Sequence, residues 1–169
     1  ESIIFVQTTN TDIMKSFTLT TEIKVFAMNE LPENDRLLVL EAQKATLRSY
    51  APYSHFQVGA AALLEDGTIV TGTNQENTAY PSGLCAERTT LFYANSQYPD
   101  LSVKALAITA RTPDGELCHT PLTPCGACRQ VMVETEKRYG KLMRVLLCGS
   151  EEVYIAESAR SLLPLSFDL

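Results

Sequence analysis

Val58-Gly59-Ala60-Ala61-Ala62-Leu63-Leu64 is the longest apolar run in the chain. A membrane span needs roughly 18 such residues, so this run is far too short for one. It is entered by Phe56 and followed by the turn signal Asp66-Gly67. The stretch Phe56–Leu64 therefore reads as a strand leading into a two-residue hairpin turn. Odd and even positions are alike small and apolar, so neither face of this strand suits water. Such a strand fits a sheet covered by a layer on each side.

Helical patterns elsewhere supply those layers. Asp35–Tyr50 carries Leu38, Ala42 and Ala45 on one stripe and should stop before Pro52, because the residue preceding a proline is pushed out of the helical region. Cys85–Ser96 and Cys125–Tyr139 read as helices, with Gly140 placed to cap the second. Ile69–Asn74, Leu101–Ala110, Arg144–Cys148 and Val153–Ala156 read as strands, and Ser158–Leu163 as a short helix. The expected fold is α/β: a three-layer α/β/α sandwich around a mixed, roughly five-stranded sheet. Phe17, Leu19, Ile23 and Val25 alternate with polar residues and predict an extra N-terminal strand at an edge. With 169 residues the chain can bury roughly 70% of its unfolded surface. That size fits one domain, 29–169, preceded by an extension, 1–28. Glu1 and the short apolar run Ile3–Val6 do not resemble a secretory signal, and Met14 is the expected natural start.

Fourteen basic residues against 20 acidic ones give a net charge of −6. Nucleic-acid partners are disfavoured, because their binding is driven by lysine and arginine contacts that release counterions. The five cysteines are Cys85, Cys118, Cys125, Cys128 and Cys148, an odd number that makes a poor disulfide framework. Free thiols point to a reducing, cytoplasmic compartment. Pro124-Cys125-Gly126-Ala127-Cys128 places two thiols three residues apart, on one face of a helix. A redox dithiol shares this spacing, and a closed structural zinc site wants a fourth ligand. Cys85 can complete a three-thiolate set with an open position if it sits where a loop enters a helix. Two helix N-termini would then offset the negative charge of that set, and Arg88 could hydrogen-bond the sulfurs.

Cys85-Ala86-Glu87 together with Pro124-Cys125-Gly126-Ala127-Cys128 resembles the zinc deaminase signature in its three-cysteine form. Ala51-Pro52-Tyr53-Ser54-His55-Phe56, Gly72-Thr73-Asn74-Gln75-Glu76-Asn77, Cys128-Arg129-Gln130 and Leu162-Leu163-Pro164-Leu165-Ser166-Phe167 also resemble the short-chain, homotetrameric cytidine deaminases. The resemblance extends from about Asn34 to Phe167. It implies one zinc ion per chain on Cys85, Cys125 and Cys128, and hydrolytic deamination of cytidine and 2′-deoxycytidine in pyrimidine salvage. Glu87 would carry the protons. Asn74 and Glu76 would bind the sugar hydroxyls, and Phe56 would pack on the pyrimidine. Backbone groups of Ala86 and Thr123 would read the base edge. Phe167 would enter a neighbouring subunit's site, and Tyr80 would lie at a subunit contact. Arg129 and Gln130 would support the second zinc helix, and His55 would sit at the rim. Cys118 and Cys148 read as bystanders. Rival readings are deamination of a nucleoside-like antibiotic, a purely structural zinc module, and a redox dithiol at Cys125/Cys128.

Overall fold

The computed structural model describes residues 5–7 and 15–168. In chain order its elements are β1 (Phe5–Gln7), β2 (Ser16–Thr18), β3 (Lys24–Ala27), α1 (Glu33–Thr46), β4 (Gln57–Leu64) and β5 (Ile69–Thr73). They continue with α2 (Ala86–Gln97), β6 (Val103–Arg111), α3 (Gly126–Tyr139), β7 (Arg144–Cys148) and β8 (Glu152–Ala156). Six strands form one sheet in the order β3-β8-β7-β6-β4-β5. Only the β6–β7 pair is parallel, with α3 in its connection. The five strands expected in the body of the chain are thus extended by β3, which pairs with β8 from Lys24↔Ile155 to Ala27↔Glu152.

The apolar run dictates the layering. Along β4, Ala60, Ala62 and Leu64 face α2 and α3, where they join Leu106 and Ile108 of β6 and Leu91, Cys128 and Met132 of the helices. Ala61 points the other way and packs with Ala105, Ala107 and Leu146 under Leu38, Val39 and Ala42 of α1. Both faces of β4 are therefore dry, as its composition requires. The small side chains let the layers come close. A Cβ added at Gly59 would lie 2.3 Å from the Ala42 carbonyl oxygen of α1. One added at Gly72 would lie 2.7 Å from the backbone nitrogen of Thr90 in α2. Only glycine permits these approaches.

Several expected boundaries shift. The first helix ends at Thr46, and residues 47–49 continue as tighter turns in which each N–H bonds three residues back. The hairpin between β4 and β5 is a four-residue connection, 65–68, not a two-residue turn. Leu64 N–H bonds the Thr68 carbonyl, and Gly67 adopts a φ of +94°. The N-terminal alternation does not form one strand. It splits into β2, paired antiparallel with β1, and β3. Val25, expected to face inward, is exposed, whereas Phe26 packs on the core beneath α1. The helical cover does not reach the edge strand on Val25's side, so that position stays wet.

Glu157 carries an ion pair with Lys24 of β3 and lies 3.4 Å from Arg144. The Arg144 guanidinium in turn grips buried Asp35 of α1 through two hydrogen bonds of 3.0 and 2.8 Å. No helix among the described residues is long and apolar enough to cross a membrane.

Candidate functional site

Helices α2 and α3 lie side by side on one face of the sheet, and their N-terminal ends hold the three cysteines. Cys85 and Cys125 are the residues immediately before each helix, both with extended backbone, and their carbonyls accept the first helical hydrogen bonds from Thr89 and Arg129. Cys128 follows one turn into α3 and is fully buried. The three sulfurs lie within 4.8 Å of one another, and Cys125 and Cys128 are 3.5 Å apart. Tetrahedral zinc with Zn–S bonds of about 2.3 Å requires sulfurs about 3.8 Å apart, so this donor set fits the ion with little adjustment. The positive ends of two helices face the cluster. Arg88 donates to Cys85 Sγ at 3.7 Å, while its buried Nε has no hydrogen-bond partner among the described residues. A cation aimed at a sulfur cluster in this way compensates thiolate charge.

The thiols are held unequally. The Cys128 hydrogen bond, then that of Arg88, draws the Cys85 thiol down to about 5. Cys128 moves up, because it donates to Cys85 and is buried. Glu87 lies two residues past Cys85 and is only 4% exposed. Burial lifts its carboxyl above the ordinary range, and the neighbouring Cys85 charge adds to this. Such a group exchanges protons at a pH closer to neutrality than a free glutamate does.

These residues open on a cavity of about 590 Å³. Cys85, Glu87 and Cys125 border it, Phe56, Val58 and Leu122 supply apolar surface, and Thr123, Asn74 and Glu76 line it as well. A volume of that size suits one small molecule with an apolar body and polar ends. Asn74 is not a free arm. Its Oδ1 accepts from Val58 N–H and the Ser49 hydroxyl, and its Nδ2 donates to the Phe56 carbonyl at 2.9 Å. One amide hydrogen is left for a ligand. Glu76 accepts from Ser54 Oγ and from the backbone N–H groups of Tyr53 and Ser54, and the Ser54 bond chiefly holds its carboxyl low and charged.

Residues 32–142 match the sequence model described as the cytidine and deoxycytidylate deaminase zinc-binding region. The chain belongs to that family. It is 52% identical over 97 residues to a cytidine deaminase of Sporosarcina psychrophila, a match covering 57% of this chain and 66% of that protein. It is 40% identical over 105 residues to a cytidine deaminase of Mycobacterium tuberculosis, covering 62% and 74%. The crystal structure of a cytidine deaminase from Burkholderia pseudomallei aligns with a TM-score of 0.66 and 38% identity, over 78% of this chain and 97% of that one. That of the Mycobacterium tuberculosis cytidine deaminase gives 0.60 and 34%, over 79% and 96%. The expected α/β fold is therefore the fold of this deaminase family.

Not every predicted site residue reaches the cavity. Ala86 is fully buried behind it, and Phe167 is 70% exposed outside it. His55 is exposed at the mouth, with a φ of +56° that turns the chain between Ser54 and Phe56. Tyr80 lines the cavity but is largely solvent-exposed. Cys118 lies in a loop apart from the cluster, its thiol raised by burial. Cys148 is a core residue of β7 whose burial pushes it up to about 12. Sequence reasoning overlooked Ser49, Tyr53 and Ser54, which hold Asn74 and Glu76. Tyr53 and Ser54 stood in the motif before Phe56 with no role of their own, and Ser49 fell inside the expected helix Asp35–Tyr50.

Proposed function

We propose that the chain hydrolyses cytidine and 2′-deoxycytidine to uridine and 2′-deoxyuridine with release of ammonia. The observation that carries this reading is the buried Glu87 carboxyl beside three clustered sulfurs, opening on a nucleoside-sized cavity. Cys85, Cys125 and Cys128 would hold one zinc ion, which when bound supplies a Lewis acid able to lower the pKa of a water from about 15.7 towards 7. Glu87 takes a proton from the attacking water, delivers it to N3 of the ring, and later carries a proton to the departing amino group. Overall a C4–O bond forms, the C4–N bond breaks, and water is consumed. Phe56 packs against the pyrimidine face and excludes water from it. The remaining Asn74 amide hydrogen and a Glu76 carboxylate oxygen take the sugar hydroxyls. Main-chain groups of Thr123, which lines the cavity, fix the base edge. Arg88 offsets thiolate charge by donating to Cys85. Phe167 serves the cavity of a neighbouring copy in a homotetramer, with Tyr80 at the subunit contact.

The net charge of −6 suits a free nucleoside rather than a polyphosphate chain. The setting is cytoplasmic pyrimidine salvage, where thiols stay reduced. The deaminase domain is 29–169, with 1–28 as an extension. Incubation with either nucleoside, followed by chromatography for the uracil product, tests the reading. Glu87→Gln should abolish turnover while keeping about one zinc per chain. A zinc-loaded parent that turns over no pyrimidine nucleoside would refute it.

A further inference from the structure

The Gln130 side chain makes a contact that support of the metal helix does not explain. Its Oε1 accepts from the Phe167 N–H at 3.0 Å, and its Nε2 donates to the Phe167 carbonyl at 2.9 Å. One carboxamide thus satisfies both main-chain groups of one residue, as a neighbouring strand would. Two turns further along α3, Lys137 holds Asp168. Two successive residues are therefore fixed along one stripe of the helix that carries Cys128. The clamp uses no atom of the Phe167 ring, which remains 70% exposed.

Helix geometry determines which way this clamp can serve a site. Gln130 follows Cys128 by two residues, roughly 200° around the helix and about 3 Å along it. It therefore lies on the side of α3 away from the buried sulfur. Phe167, held there, is not among the residues lining its own chain's cavity.

We propose that Gln130 is a positioning residue, which fixes the Phe167 main chain on the outer face of α3 so that the ring is presented to the nucleoside cavity of a second copy. This rests on the reading of Phe167 given above and adds the device that aims it. The same helix anchors metal ligands of one cavity and the aromatic group offered to another.

The test uses the zinc-loaded enzyme and the near-isosteric Gln130→Met, which keeps the side chain's bulk and removes both hydrogen bonds. Hydrogen exchange of the Phe167 amide should accelerate. KM for cytidine should rise about tenfold, the effect of losing a hydrogen-bonded anchor, with kcat within about twofold. Zinc content and oligomeric state should not change. Phe167→Ala should raise KM comparably, and the double variant should be no worse than Phe167→Ala alone. An unchanged KM in Gln130→Met beside a raised KM in Phe167→Ala overturns the clamp but leaves the role of Phe167 standing. An unchanged KM in Phe167→Ala removes that role and the proposal with it. Fully additive effects also overturn the clamp. Should Gln130→Met not fold, Gln130→Glu keeps an acceptor for the Phe167 N–H and loses the donor to its carbonyl. It sets a carboxylate oxygen against that carbonyl, so it should raise KM too, and a parental KM overturns the proposal.

Discussion

Gly72→Ala is a one-carbon change on β5 that should be felt at the three-cysteine cluster. The new Cβ would lie 2.5 Å from Thr90 Oγ1 and 2.7 Å from the Thr90 backbone nitrogen. The hydroxyl cannot simply swing away, because it donates to the Ala86 carbonyl at 2.7 Å. Helix α2 must therefore retreat by about 0.9 Å to restore an ordinary contact of 3.4 Å with that hydroxyl. Overpacking of this kind costs ~1–3 kcal/mol. In a domain of this size each kcal/mol lowers Tm by about 2–4 °C. The first turn of α2 carries Glu87 and Arg88 and follows Cys85 directly. A displacement approaching 1 Å there should reduce kcat/KM by about 10- to 100-fold. Calorimetry of the zinc-loaded protein reads the stability effect, and uridine formation reads the activity. Gly126→Ala is the contrast for stability, since a Cβ there meets nothing within 4 Å and should leave Tm unchanged or raise it. If Gly72→Ala keeps Tm within about 1 °C and kcat/KM within about twofold, the close approach does not position α2 and the reasoning fails.

Two further perturbations probe separate parts of the molecule. Cys128→Ala leaves two clustered thiols, so metal analysis after gel filtration should find well under about half an equivalent of zinc; a full equivalent would show that Cys128 is not a ligand. Glu136 is a buried carboxylate that accepts from Met143 N–H, Ala159 N–H and the Ser158 hydroxyl, joining α3 to β7 and to the turn after β8. Glu136→Ala strands those donors, and each buried one left unsatisfied costs ~1–3 kcal/mol. The urea midpoint should fall by an amount equivalent to at least ~2 kcal/mol, and an unchanged midpoint would contradict the role of this carboxylate as a tie.

Local spacing revealed much of the site. Cys125 and Cys128 share a helix face because three residues make nearly one turn, and that holds wherever the helix is placed. The helix beginning at Cys85 was legible from the pattern of Cys85–Ser96, and in the structure Cys85 stands just before α2. The N-terminal alternation misled because period-two reasoning assumes one unbroken strand. The chain breaks between β2 and β3, and the inward residue becomes Phe26 instead of Val25. Asn74 and Glu76 were legible through the family motif, but their ties to Ser49, Tyr53 and Ser54 were not. Those ties join residues more than 20 positions apart, and no local period encodes them.

The sequence alone determined that β4 would be dry on both faces, that α1 would bury the stripe through Leu38, Ala42 and Ala45, and that three of five cysteines had the makings of one site. These follow from side-chain size, polarity and short-range periodicity. Tertiary structure decided that Cys85, forty residues from Cys125, lies beside it, because α2 and α3 pack with adjacent N-termini on the same face of the sheet. It also decided that β3 extends the sheet beside β8, and that Gln130 turns away from the cysteine cluster to hold Phe167. Each of these depends on which distant backbone groups find one another, and that is settled only when the layers close around β4.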